Sequence, residues 1–428
     1  MKKIKKILGF YLSFQLILSF ALSSSYAEEK EAGKYQPVKQ KLKIIPIINL
    51  DALATYSKVQ GHNAIGGALI DLSISPTIRL NKRNYIIPLY NLNYHRKRQV
   101  ISQEEGGRLT QETMTHNFFL TYKRLLTRKL TAKFSALGTL AYYKETNDED
   151  WSKGLYDYID KGALMDFEYT LSHPKERVFK ELNFETEYYR RMYTNFRSLI
   201  SLATPTALEE NEKDYDGLKF TLGYLRQNPD GLSFEAEYMP LLKYYTDKLV
   251  IDSDGVLISG KEREDNQHTI NLDLSYPLTK RLTIGLDNQI IINRSNQNYY
   301  DSRNTITLSD DVFTDDYYDY NSYQIKPSLS YNIPIKKNKD LTINLSYSYL
   351  NRLYTNRKAQ SSNGSYTTED EEDKYHTINL GLSYPLTDKI KALFIVDYID
   401  AQSNMKYEEY YRYNYDLLTI ACGISCRF

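Results

Sequence analysis

Along most of its length the chain alternates apolar and polar residues with a period of two, the one pattern that forces extended strands with unlike faces. In 268–278, Ile270, Leu272, Leu274 and Tyr276 point one way and Asn271, Asp273 and Ser275 the other. The same holds in 339–349 (Leu341, Ile343, Leu345, Tyr347 against Thr342, Asn344, Ser346), in 182–188 (Leu182, Phe184, Tyr188 against Asn183, Glu185, Glu187) and in 232–238 (Leu232, Phe234, Tyr238 against Ser233, Glu235, Glu237). No helical period stands out beyond the first 27 residues. Strands centred near residues 50, 74, 90, 119, 136, 166, 186, 221, 237, 272, 288, 328, 346, 380, 395 and 421 are expected. Short turns at 80–84, 228–231 and 279–281 alternate with long polar loops at 246–265, 296–320 and 356–373, so both chain ends fall on the short-turn side.

Open sheets rarely exceed about ten strands, whereas closure removes every edge. The apolar faces carry few charges and the polar faces many, as when one face meets lipid and the other a wet interior. The expected fold is therefore all-β, an antiparallel transmembrane β-barrel of about sixteen strands, with fourteen to eighteen within a hairpin of that count. A mean hydropathy of −0.56 looks soluble only because it averages two faces. Helical membrane spans are excluded, since only residues 7–22 approach the length of about 20 apolar residues that one needs. At 13% aromatic residues with 55 Lys+Arg against 54 Asp+Glu, disorder is excluded too.

Residues 1–27 read as a secretory signal peptide: Lys2, Lys3, Lys5 and Lys6 precede the apolar run, and Ser25-Tyr26-Ala27 forms a small-x-small cleavage site. Loss of those four lysines takes the formal charge from +1 to 1 − 4 = −3, which does not favour a nucleic-acid partner. Residues 28–41, rich in Lys, Glu and Gln, read as a short periplasmic tail and 42–428 as the barrel. Cys422 and Cys426 share one strand face about 13 Å apart along the chain, out of disulfide reach.

His268–Thr279 reads HTINLDLSYPLT and His376–Thr387 reads HTINLGLSYPLT, identical at 11 of 12 positions. Duplicated hairpins and common selection on each turn both account for the identity. Each copy carries Tyr then Pro where a strand leaves the bilayer, and Tyr276, Tyr331, Tyr347 and Tyr384 suit an aromatic girdle. Tyr occurs 41 times, more than girdles use, with pairs such as Tyr299-Tyr300, Tyr317-Tyr318 and Tyr410-Tyr411 in the loops.

The chain ends inside a strand in which Phe428, Ile424 and Ile420 share a face. This ending, with the alternation, resembles bacterial outer-membrane β-barrel proteins, broadly porin-like. The resemblance implies insertion into a Gram-negative outer membrane by the barrel-assembly machinery, contact with lipid and lipopolysaccharide, and often a transport role.

Sixteen strands leave an aqueous channel, so passage of small solutes is the leading functional expectation. Asp166, Glu168, Glu185, Glu187, Glu235 and Glu237 form an inward acidic arc, interrupted by the basic Lys123, Lys133 and Lys219, and carboxylate arcs favour cations. The other expectation is a non-catalytic surface binding or structural barrel acting through its long Tyr- and acid-rich loops. The acidic runs at 252–255, 310–316 and 369–373 match no full metal-loop spacing, so no metal or cofactor is expected. No nucleophile elbow is present, and none of the six histidines has a carboxylate and serine at evident triad spacing, so no catalytic residue is assigned.

Overall fold

The computed structural model describes residues 43–100, 109–172, 176–196, 211–301, 311–336, 339–408 and 411–428. The expected signal peptide and periplasmic tail lie outside the described residues. The remainder forms a closed antiparallel barrel of sixteen strands with no helix among the described residues. In chain order they are β1 (Ile48–Val59), β2 (Ile65–Ile74), β3 (Asn84–Val100), β4 (Leu109–Leu125), β5 (Leu130–Lys144), β6 (Tyr158–Thr170), β7 (Phe179–Tyr193) and β8 (Tyr215–Gln227). The second half continues with β9 (Ser233–Ile251), β10 (Leu257–Pro277), β11 (Leu282–Ser295), β12 (Tyr320–Lys336), β13 (Lys339–Gln360), β14 (Tyr366–Pro385), β15 (Ile390–Ser403) and β16 (Tyr415–Arg427). All sixteen expected strand centres fall inside these ranges.

Closure runs between β16 and β1, in register from Asn49 opposite Arg427 to Val59 opposite Leu417. The terminal residue completes it: Phe428 N–H donates to the Ile48 carbonyl at 2.8 Å and Ile48 N–H to the Phe428 carbonyl at 2.9 Å. Pro46 and Pro76, which donate no ladder bond, interrupt two neighbouring strands at the same level; Lys43–Ile45 and Thr77–Arg79 continue the pairing below them.

The outer surface is apolar: Phe118, Leu120, Phe184, Leu222, Ile270, Leu272 and Leu345 are all exposed there. On the opposite face Thr55, Thr221 and Thr419 are buried on the inner wall. Without lipid this belt would expose far more apolar surface than a soluble protein tolerates.

Two of the three expected long loops are corrected by the structure. Residues 246–265 and 356–373 are mostly strand, with only tight turns between β9 and β10 and between β13 and β14. These hairpins outrun the bilayer: β13 has 22 residues, whereas about 9–11 suffice to cross. Above the membrane both faces of a strand meet water or a polar interior, so the alternation that marks lipid-facing strands vanishes. In the third loop, Tyr299–Asp301 pairs with Val312–Thr314 as a small hairpin.

The repeated dodecapeptide is one membrane crossing. At its start His268 Nδ1 meets the Tyr238 hydroxyl at 2.7 Å, and His376 Nδ1 meets that of Tyr347 at 2.7 Å. At its end Thr279 Oγ1 accepts the N–H groups of Arg281 and Leu282, and Thr387 Oγ1 those of Lys389 and Ile390, closing the periplasmic turns. The nine residue-to-residue steps from histidine to strand end rise about 23 Å at the usual tilt, close to the apolar belt's height of about 25 Å. Tyr90 and His116 repeat the pairing on β3 and β4 at 3.0 Å, and Thr127 repeats the turn cap.

Candidate functional site: the inner wall and the outer vestibule

On the periplasmic half of the inner wall, the expected acidic residues fall into two groups. In the first, Lys133 Nζ contacts Asp166 at 2.8 Å and also Glu168, and Lys123 approaches Glu168 at 3.9 Å. Lys219 joins Glu187 at 2.7 Å and Glu185 at 3.6 Å. Asp166 and Glu185 are direct cross-strand partners, held together by lysines on either side.

Glu235 and Glu237 belong to the second group. Glu235 stands opposite Asp273, and Asp273 opposite Asp287, so three carboxylates face one another across β9, β10 and β11. Lys326 reaches Asp287 at 3.3 Å and Asn271 donates to Glu237 at 3.3 Å. A further carboxylate pair, Asp51 opposite Asp71, lies between β1 and β2, where Asn93 and His95 hold Asp71 at 2.6 and 2.9 Å. Like charges set directly opposite destabilise a sheet unless water and counter-ions screen them.

Tyr276 and Tyr384 sit one residue before the periplasmic ends of β10 and β14, and Tyr331 near that end of β12. Tyr347 stands at the opposite edge of the belt with His376. Phe428 and Ile424 are exposed on the outer surface, and Ile420 is half-buried on the same face. Cys422 and Cys426 are free thiols.

Part of the lumen wall was not foreseen. The outer end of β3 folds against the inner face of β1, where Thr55 Oγ1 donates to the Arg96 carbonyl at 2.9 Å. A Cβ at Gly67 would lie 2.1 Å from that same carbonyl, so this approach requires glycine. Val100 and Leu109 then pack on Val59, Ala401, Tyr415 and Leu417, an apolar patch inside the barrel.

The outer end of the lumen opens into a vestibule of about 430 Å³ that gathers the loop tyrosines. Ten tyrosines line it, with six cations and two acids. The cations lie on ring faces: Arg191 at 3.8 Å from the Tyr158 ring, Arg263 at 3.9 Å from Tyr318 and 4.5 Å from Tyr245, Arg357 at 4.7 Å from both Tyr317 and Tyr354. Lys213 sits among Tyr156, Tyr193 and Phe196 at 4.6–5.7 Å. Carboxylates brace the guanidinium groups: Asp160 takes Arg191 Nε and Nη2, both at 2.9 Å, Asp265 takes Arg263 at 2.9 and 2.8 Å, and Glu371 meets Arg357 Nε at 2.7 Å. Burial pushes the Tyr317 hydroxyl well above its usual range and Tyr299, which also faces Asp301, up to about 12, so both stay neutral.

The acidic runs serve other ends. Asp252 closes its turn, accepting the N–H groups of Asp254 and Val256 at 3.0 and 2.8 Å. Residues 369–373 lie in β14, and Glu371 is the vestibule acid just described. Among the described residues no group of three His, Cys, Asp or Glu is placed to hold a metal. His173 lies outside the described residues.

No protein-family profile matches the sequence, and no curated protein is significantly similar to it. Solved structures with a similar fold include OmpT, an outer-membrane protein of Vibrio cholerae (10% identity over 90% of this chain and 99% of that one, TM-score 0.45). Others are a bacterial polysaccharide outer membrane secretin (7%, 90% and 98%, 0.43) and CdiB from Acinetobacter baumannii (8%, 90% and 65%, 0.45). A sixteen-stranded closed barrel with an apolar belt and a charged inner wall is an outer-membrane β-barrel, located in the outer membrane of a Gram-negative bacterium. Its subfamily is not fixed by these likenesses.

Proposed function

We propose that the protein is a non-catalytic outer-membrane channel for small solutes with a weak preference for cations. The observation that carries this reading is the file of opposed carboxylates Glu235, Asp273 and Asp287 on the inner wall. A dry or plugged interior would force these groups apart or pair each with a cation. A wet lumen screens them, and their field concentrates cations from the periplasmic side. The lysines of the first group offset only part of the charge, three against the four carboxylates they contact.

Planar-bilayer recordings of the refolded protein under a KCl gradient test the reading. The expected result is an ohmic conductance with potassium favoured over chloride. In the triple variant Glu235→Gln, Asp273→Asn, Asp287→Asn the conductance persists and the preference falls toward unity. Absence of conductance, or chloride preference in the native protein, overturns it.

A further inference from the structure

We propose that the outer vestibule is a binding site for a small anionic molecule built on a ring, such as a carboxylate-bearing sugar or aromatic acid. The proposal does not depend on conduction, because the site lies in the protruding ends of β7–β13 and the loops above the membrane.

Size comes first. A cavity of about 430 Å³ falls in the range of small-molecule pockets, about 300–1,000 Å³, and holds one or two rings.

Charge gives the sign. The lining carries six cations and two acids, a difference of 6 − 2 = +4. Adding the braces Asp160 and Glu371 behind Arg191 and Arg357 still leaves 6 − 4 = +2. Organic cations are disfavoured twice over, by this excess and because protein cations already occupy the tyrosine faces that would cage them.

Preorganisation supplies the third step. Arg263 is held by a two-point contact with Asp265 and two aromatic faces, and Lys213 by three rings, so little side-chain entropy remains to be lost on binding. The phenols offer hydroxyls and ring edges to the body of the ligand while the cations take its carboxylate.

The test is calorimetric titration of the refolded full-length protein with glucuronate, benzoate, glucose and inorganic phosphate. Glucuronate and benzoate are expected to bind saturably, with glucose and phosphate each weaker by about ten-fold or more. The double variant Lys213→Gln, Lys243→Gln is expected to weaken glucuronate by about five-fold or more, while Lys280→Gln in a periplasmic turn leaves it unchanged. Heat-modifiable gel migration checks that each variant is folded. Independently of any variant, raising KCl weakens glucuronate binding. Absence of saturable binding by both ring acids overturns the proposal, as does glucose binding as tightly as glucuronate, or phosphate binding as tightly as both.

Discussion

On the periplasmic half of the inner wall carboxylates face carboxylates across neighbouring strands, whereas in the outer vestibule Arg191, Arg263 and Arg357 each lie on tyrosine rings with an acid braced against them. Both regions hold many charges, but they keep them in different ways. The lower wall leaves its charges to water: the side chains of Asp287 and Lys326 are each about two-fifths exposed. The vestibule removes its charges from water, and Glu371 is fully buried against Arg357. Charges that water screens are free to act on passing ions, and charges locked in protein are fixed in place to meet one ligand.

The difference is sharpest in stability. Replacing Arg357 by Met strands Glu371 without its cation, and removal of one partner from a buried pair costs about 3–5 kcal/mol. Replacing Lys326 by Met on the lower wall is expected to cost about 1 kcal/mol, because water reaches its partner Asp287. Protease cleavage in the outer halves of β13 and β14 and urea unfolding in lipid vesicles measure the two losses. Equal losses would break the distinction between a locked vestibule and a wet wall.

A second test uses a buried acid beside the vestibule that has backbone partners in place of a cation. Asp157 accepts the N–H groups of Tyr143 at 2.8 Å and Gly154 at 3.1 Å. Burial, reinforced by Glu149, raises its pKa from 3.8 to about 6. A folded-state value above the unfolded one means that the native loop binds the extra proton. The associated stability is therefore fully present below about pH 4 and lost as pH rises through about 6. The shift corresponds to about 2–3 kcal/mol of local stability. Fluorescence of Trp151 and hydrogen exchange in 145–157 should show a tighter loop at pH 5 than at pH 7.5, and Asp157→Asn should remove the dependence. A loop that loosens on acidification contradicts the assignment.

Much of this was legible in the sequence, for a physical reason. Lipid on one side and water on the other write a period of two into every crossing, so the sixteen strands could be read directly. Above the membrane that contrast disappears, which is why the ends of β9, β10, β13 and β14 looked like loops. The vestibule was less legible still, since residues from Arg191 to Tyr413 meet only when the barrel closes. Its Arg357–Glu371 pair depends on a register shift between Leu353 and Lys358. Leu353 pairs with Glu372, but beyond the shift Lys358 pairs with Asp370, which brings Arg357 opposite Glu371 where an unbroken register would set it against Thr368. Nothing in the hydropathy of β13 marks that bulge. The surplus of loop tyrosines was the one visible trace of the vestibule.

The smallest expected effect compares the lower wall with itself. The two dodecapeptide crossings differ only at Asp273 and Gly381, both on the inner face, while every lipid-facing residue is the same. Asp273 lies between Glu235 and Asp287; Gly381 lies between Asn344 and Ile395. A Cβ at Gly381 meets only that of Asn344, at 3.9 Å, an ordinary van der Waals contact, so the backbone admits a side chain there. Gly381→Asp adds one carboxylate with no like charge directly opposite; Asp397 stands diagonally beyond Ile395, where Asn379 donates to it. Stability should change by less than about 0.5 kcal/mol, and the preference for potassium should rise by a fraction of what the triple neutralisation removes. Asp273→Gly should do the reverse, lowering the preference while relieving Glu235 and Asp287 of their common neighbour. If the two substitutions leave the reversal potential unmoved, the inner wall does not set selectivity.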